Sequence, residues 1–205
     1  MTVTVVRGLV IASLTTGVVC QFVQDTDPTP PLAYYTIDSA IFAAAVLVLL
    51  LLIRAQPLSH LQTIRGAATI GVLLSSVVYA SVIAPASPNG SWFQPGDDSL
   101  VRVATVLLHG VGPILIIVDF LANPYPTTRP WRTALAWCGW PVLYFCAITA
   151  LQLAGVVRIP YEFLDARRYG TSAFILAAAL LAVISILIGC SLLAIQSRLR
   201  RSGSQ

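Results

Sequence analysis

Three ionisable side chains interrupt long apolar segments of this 205-residue chain: Asp38, His109 and Asp119. An ionisable group in an apolar surrounding is costly, so such groups are by default candidates for ligand binding or proton transfer. Histidine is the best suited of them to proton transfer near neutral pH, because its unperturbed pKa is about 6.5. His109 is therefore the first candidate for acid–base chemistry.

The residues after His109 predict an irregular helix. The segment reads His-Gly-Val-Gly-Pro, ending at Pro113. Proline has no N–H to bond the carbonyl four residues earlier, and that carbonyl belongs to His109. Irregular backbone at membrane depth is tolerated where protein or a cavity satisfies it. Two interpretations stay open: a functional histidine beside a cavity, or a histidine bonded to another helix with Pro113 as a packing kink.

A metal or haem site has little support in the sequence. His60 is the only other histidine, and it would have to meet His109 from a different depth. An intramembrane metal site needs three or more ligands. The four cysteines are spaced neither as a zinc site nor as a redox pair, and we interpret them as packing residues: Cys20, Cys138, Cys146 and Cys190. We expect no cofactor.

The elements that hold these residues are membrane-spanning helices. The chain is 57% apolar and only 10% charged, with a mean hydropathy of +0.84, whereas a soluble domain carries about 25% charged residues. A span needs about 20 mostly apolar residues. We expect an all-α integral membrane protein, a bundle of six transmembrane helices in one domain (1–197) with a short basic tail (198–205). The spans are predicted at about 3–23, 33–54, 64–84, 100–121, 134–155 and 171–196.

Arginine placement predicts the orientation, because cytoplasmic loops are rich in basic residues. The first segment lacks a signal-peptide cleavage site, and we interpret it as a retained span. With six spans, one face then holds eight Arg and no acidic residue: Arg7, Arg54, Arg65, Arg129, Arg132, Arg198, Arg200 and Arg201. The other holds four Arg and six acidic residues: Arg102, Arg158, Arg167, Arg168, Asp25, Asp27, Asp97, Asp98, Glu162 and Asp165. Both termini are predicted to be cytoplasmic, in a multi-pass protein of the plasma membrane.

Thr36 lies near the start of the second span, after two prolines that suit a first helical turn. It is expected about 7 Å below the helix start, and His109 about 16 Å below its own. Side chains that lean toward the N-terminus, together with helix tilt, reduce this mismatch and would let the two meet in the outer half of the bilayer. Asp38 points away from Thr36, with Tyr34 as its i,i+4 partner. Asp119, near the cytoplasmic end, is expected to pair with Arg129 or Arg132.

The chain resembles the Pr6Pr family of bacterial membrane proteins, which are related to the eukaryotic FAR-17a/AIG1-like proteins. Three segments carry the resemblance: Tyr-Tyr-Thr-Ile-Asp-Ser at 34–39, His-Gly-Val-Gly-Pro at 109–113 followed by Asp119, and Pro-Tyr-Glu-Phe-Leu-Asp at 160–165 before Tyr169-Gly170. The third is the most specific. With the six spans, the resemblance covers nearly the whole chain.

The resemblance implies an intramembrane threonine hydrolase that cleaves fatty acid esters, such as branched fatty acid esters of hydroxy fatty acids. It implies Thr36 as the nucleophile and His109 as the general base. One departure is visible, because Ala40 stands where the family commonly has Asn. Candidate supporting or substrate-binding residues are Tyr34, Tyr35, Asp38, Ser39, Asp119, Glu162 and Asp165.

The expected partners are membrane lipids and a lipid ester substrate. Nucleic acid is not expected, because the arginines form no continuous basic face. The alternative is a non-catalytic membrane protein: a small transporter, a lipid-binding protein or an assembly partner. Inverted repeats, or charge pairs deep in several spans, would favour a transporter, and neither is evident. An assembly role would depend on the small residues Ala67, Gly71 and Ser75 of the third span.

Overall fold

The protein is a helical bundle in the computed structural model, which describes residues 2–27, 29–53, 59–124, 127–164 and 166–202. Within these ranges no strand occurs, and six helices are long and apolar enough to cross a membrane. The all-α membrane fold is confirmed at this level. The helices are α1 (Val3–Val23), α2 (Tyr35–Leu52), α3 (residues 59–86), α4 (Ser99–Ala122), α5 (Pro130–Leu153) and α6 (Thr171–Ser202).

Three of the six helices are irregular. In α3 an α-helical segment, Ser59–Val78, passes through a π-helical turn, Tyr79–Ile83, into a last turn, Ala84–Ala86. In α4 a second π-helical turn, Leu107–Val111, separates two α-helical segments. Helix α5 is interrupted at Cys138. Both π-helical turns precede a proline by two residues, so the wider turn accommodates the carbonyl that the proline leaves unbonded.

The helix ends differ from the predicted ones where short polar or basic residues continue the helix. Helix α3 begins before the predicted residue 64, and α5 begins at Pro130 rather than near residue 134. Helix α6 runs on to Ser202, so the three terminal arginines 198, 200 and 201 belong to the helix rather than to a separate tail. Short 3-10 turns, Pro31–Ala33 and Glu162–Leu164, lie in the connections before α2 and α6.

Helix α3 lies at the centre of the bundle, where it contacts α2, α4, α5 and α6. Two glycines allow the close approach. A Cβ on Gly66 would lie 2.0 Å from Trp137, which is fully buried, and one on Gly71 would lie 2.8 Å from Trp140. The small-residue face predicted for the third span therefore packs closely at Gly71.

A buried ion-pair cluster joins three helices at the end of the bundle where α1 and α3 begin. Asp119 accepts from Arg7 at 3.1 Å and from Arg65 at 3.1 Å, and it is 1% exposed. Arg65 also donates to the main-chain carbonyls of Asp119 and Asn123 at the end of α4. Buried charges are stable only when they are paired and hydrogen-bonded in this way. The prediction that Asp119 pairs with Arg129 or Arg132 is wrong, because side chains from other helices reach it.

At the other end, Asp98 fixes the start of α4. Its carboxylate accepts the backbone N–H of Val101 at 2.8 Å, as expected of a helix N-cap. The same carboxylate accepts the hydroxyl of Thr26 at 3.0 Å. The Val101 hydrogen bond lowers the pKa of Asp98. The connection between α1 and α2 is thereby tied to the first turn of α4.

Candidate functional site

A cavity of about 520 Å³ lies at the end of the bundle where α1 and α3 end and α2 and α4 begin. Its wall takes residues from these four helices and from the connections that precede α2, α4 and α6. Thr36 of α2 and His109 of α4 both line it. The structure thus brings the two sequence-predicted residues to one cavity, although they lie 73 positions apart in the chain.

Thr36 is the second residue of α2 and is half-buried. The 3-10 turn Pro31–Ala33 leads directly into this helix start. The hydroxyl of Tyr144 donates to the carbonyl of Ala33 in this turn at 2.7 Å. Because α2 begins at Tyr35, Thr36 is shallower in its helix than the sequence predicted. The cavity extends from this first turn of α2 along α4 to the π-helical turn.

Tyr161 lines the same cavity and holds the backbone directly before Thr36. Its hydroxyl accepts the backbone N–H of Tyr35 at 3.0 Å. Burial raises the pKa of Tyr161 to about 12, so the phenol stays protonated through the neutral range. Tyr161 was not among the candidate residues, although it lies in the segment 160–165 that carries the family resemblance. The available signal was a tyrosine beside a proline in the most specific of the three segments.

His109 sits inside the π-helical turn of α4. The N–H of Gly112 bonds the carbonyl of Leu107, which is the i to i−5 pattern of such a turn. The carbonyl of His109, which Pro113 cannot bond, accepts the hydroxyl of Ser76 at 2.6 Å. The expected irregularity and the unbonded carbonyl are both present, and a hydroxyl from α3 satisfies the carbonyl.

The His109 imidazole is held by stacking. Its ring lies against the ring of Tyr79, with centroids 3.9 Å apart and planes 7° from parallel. Tyr79, from the π-helical turn of α3, donates its hydroxyl to the carbonyl of Trp92 at 2.7 Å. The Nδ1 atom of His109 is buried and has no hydrogen-bond partner among the described residues. The sequence did not indicate Tyr79, since a lone aromatic in an apolar helix is an ordinary core residue.

Tyr34 also lines the cavity, but its partner differs from the predicted one. Its hydroxyl donates to Asp27 at 2.6 Å rather than to Asp38. Burial is the main cause that raises the pKa of Tyr34, and the hydrogen bond with Asp27 adds to it. Asp27 also accepts the N–H of Thr29 at 2.9 Å. The 1–2 connection therefore folds a carboxylate back over the start of α2, and the predicted pairing of Tyr34 with Asp38 is wrong.

The other supporting candidates lie away from the cavity wall. Ser39 is fully buried and accepts the indole N–H of Trp140 at 2.9 Å, which joins α2 to α5. Tyr35 packs edge-on against Tyr144, with ring centroids 4.9 Å apart. Asp119 belongs to the ion-pair cluster at the opposite end. Ser39, Tyr35 and Asp119 therefore have structural contacts rather than contacts with this cavity.

The last three supporting candidates are Asp38, Glu162 and Asp165. Asp38 is half-buried and is not part of the cavity wall, as expected from its angle to Thr36. The side chain of Glu162 and the whole of Asp165 lie outside the described residues. Ala40, at the position where Asn was expected, is 2% exposed and packs in the hydrophobic core.

Comparison of the chain with protein-family models, with curated proteins and with solved structures gives no match. The family resemblance therefore rests on the three sequence segments alone. Over the part of the chain that the structure describes, no group of three or more His, Cys, Asp or Glu is placed to hold a metal ion. The polar side chains of the cavity wall are hydroxyl, imidazole, carboxylate and amide groups.

Proposed function

We propose that this protein is an intramembrane hydrolase of lipid esters, with Thr36 as the nucleophile and His109 as the general base. The observation that carries the proposal is the shared cavity, which both side chains line from different helices. The cavity lies within a range typical of small-molecule sites, about 300–1,000 Å³. Its wall combines apolar side chains with a few polar groups, as a site for an ester with an acyl chain requires.

The proposed reaction has two steps. The Thr36 hydroxyl attacks the ester carbonyl carbon while the imidazole of His109 takes its proton. The tetrahedral intermediate collapses, the alcohol leaves with that proton, and an acyl group remains on Thr36. Water then attacks the acyl-threonine, again with His109 as base, and releases the fatty acid. A threonine hydroxyl is a weak nucleophile at neutral pH, so the base is essential to this scheme.

The side chains around Thr36 and His109 support these roles. Stacking on Tyr79 fixes the plane of the imidazole without using its nitrogen atoms. Tyr161 holds the backbone N–H of Tyr35, next to Thr36, and its phenol stays protonated through the neutral range. A positioned base contributes about 10²–10⁴-fold to rate. Rigid placement matters as much, because small displacements of reacting groups lower rates sharply.

Covalent labelling tests the proposal. The protein in nanodiscs is treated with a lipophilic fluorophosphonate, the modified residue is mapped by mass spectrometry, and hydrolysis of a p-nitrophenyl acyl ester is followed in parallel. We expect one adduct, on Thr36, absent from Thr36→Val. In His109→Ala, labelling and hydrolysis should fall by about a hundredfold or more.

Two matched variants serve as controls. Thr149→Val removes a threonine hydroxyl from α5, outside the cavity wall, and His60→Ala removes the other histidine, exposed at the start of α3. Both should label and hydrolyse like the wild type. An adduct elsewhere, an unchanged rate in His109→Ala, or the absence of both adduct and hydrolysis in a folded protein would overturn the proposal and favour a binding or transport role.

A further inference from the structure

Among the described residues, the cavity wall carries negative charge and no positive charge. Asp27 and Asp97 both line it, whereas none of the described wall residues is an arginine, and the chain contains no lysine. Arg102 is exposed and donates to the main-chain carbonyl of Asp97, but it is not part of the wall. A cleft lined by one sign of charge focuses its field inward, more strongly than an open surface does.

The wall also offers one buried hydrogen-bond acceptor that lacks a donor. The Oε1 atom of Gln94 is buried and has no partner among the described residues. The rest of Gln94 is fixed, because its backbone N–H donates to the carboxylate of Asp97 at 2.7 Å and its Nε2 donates to the carbonyl of Ser91 at 3.3 Å. A buried acceptor without a donor is destabilising. A ligand that donates a hydrogen bond to the Oε1 of Gln94 would remove this cost.

From these two observations we infer that the cavity accepts an acyl ester of an uncharged polyol, the chemistry of a glycerol monoester. The inference rests on the proposed function and specifies its substrate class. Hydroxyl groups of such a head group donate to Gln94 and to the carboxylates of Asp27 and Asp97. The ester carbonyl then lies deeper, toward Thr36 and His109, with the acyl chain against apolar wall residues such as Val82 and Leu108.

The same wall disfavours two alternatives, an anionic head group and a quaternary ammonium. An anionic head group meets two carboxylates with no cation in the wall, and like charges at close range in a site of reduced dielectric repel strongly. Branched fatty acid esters of hydroxy fatty acids carry a free carboxylate, so the inferred substrate class differs from the one that the resemblance implies. A quaternary ammonium head group has no donor and leaves the Oε1 of Gln94 unpaired.

Photo-crosslinking tests the inference without requiring turnover. Three diazirine probes of equal chain length are compared in nanodiscs: a monoalkylglycerol ether, a fatty acid and an alkyltrimethylammonium. Crosslinked residues are mapped by mass spectrometry at pH 8. We expect the glycerol ether to label cavity residues, such as Ile83 and Phe163, about tenfold more than either charged probe. Asp27→Asn and Asp97→Asn should each lower, several-fold, the ratio of cavity labelling by the glycerol ether to labelling by the fatty acid.

Asp25→Asn is the matched control, because Asp25 is an exposed carboxylate of the same connection outside the wall, and its ratio should equal that of the wild type. Equal or stronger cavity labelling by the fatty acid or by the ammonium probe would overturn the inference. Since the ether cannot be hydrolysed, selective labelling in a protein without esterase activity would reject the hydrolase and keep the ligand class. Ester hydrolysis at a rate that does not depend on head-group charge would keep the hydrolase and reject the ligand class.

Discussion

At the residue scale, the contact between Tyr161 and the start of α2 links the 5–6 connection to the proposed nucleophile. The hydroxyl of Tyr161 accepts the backbone N–H of Tyr35, the residue before Thr36, at 3.0 Å. On the proposed function, Tyr161 is a positioning residue, because it holds the first turn of α2 that carries the threonine hydroxyl. Tyr161→Phe should lower kcat for ester hydrolysis by about tenfold or more, since it frees this turn and small displacements of reacting groups lower rates sharply.

A second tyrosine at the same helix start separates positioning from folding. Tyr144 donates its hydroxyl to the carbonyl of Ala33 at 2.7 Å and is not part of the cavity wall. Tyr144→Phe should lower the thermal midpoint and leave kcat and KM near the wild-type values. Tyr161→Phe should lower kcat with little change in KM. If both variants lose kcat equally, the hydroxyl of Tyr161 only supports the fold.

At the element scale, the close approach of α3 and α5 leaves no room for a side chain at Gly66. A Cβ on Gly66 would lie 2.0 Å from the Trp137 ring, which is buried and itself packs edge-on against Phe120. Gly66→Ala should therefore destabilise the protein by about 1–3 kcal/mol, the usual range for overpacking. Thermal unfolding in detergent measures it. Gly8→Ala on α1 is the matched control, because a Cβ there meets nothing within 4 Å; an equal loss in both variants would contradict this argument.

Much of the fold was predictable at this same scale, because each span is a local run of apolar residues. The helix type, the number of spans and the irregularity at His109 all follow from nearby residues. Partners were not predictable where they come from distant helices: Asp119 bonds Arg7 and Arg65, which no local spacing indicates. The π-helical turn in α3 was also missed, so the contribution of Tyr79 to the site was not expected.

At the scale of the whole molecule, the two ends of the bundle differ in chemistry. The cavity end carries Asp27, Asp97 and Asp98, whereas the opposite end carries Arg7 and Arg65 around a single buried carboxylate. The ion-pair cluster closes its end, because Arg65 donates to the carbonyls of Asp119 and Asn123 at the end of α4. On the proposed function, a lipid would therefore enter at the cavity end, whichever side of the membrane that end faces.

The arginine distribution predicts which side that is: the cavity end outside and both termini in the cytoplasm. Cysteine accessibility in intact cells measures it, in a background where the four native cysteines are replaced. Asn89→Cys places a thiol in the exposed 3–4 connection at the cavity end, and His60→Cys places one at the exposed start of α3. A membrane-impermeant maleimide added outside should label Asn89→Cys and spare His60→Cys until the cells are permeabilised. The reversed pattern would place the cavity on the cytoplasmic side, and a proposed lipid ester would then have to enter from the inner leaflet.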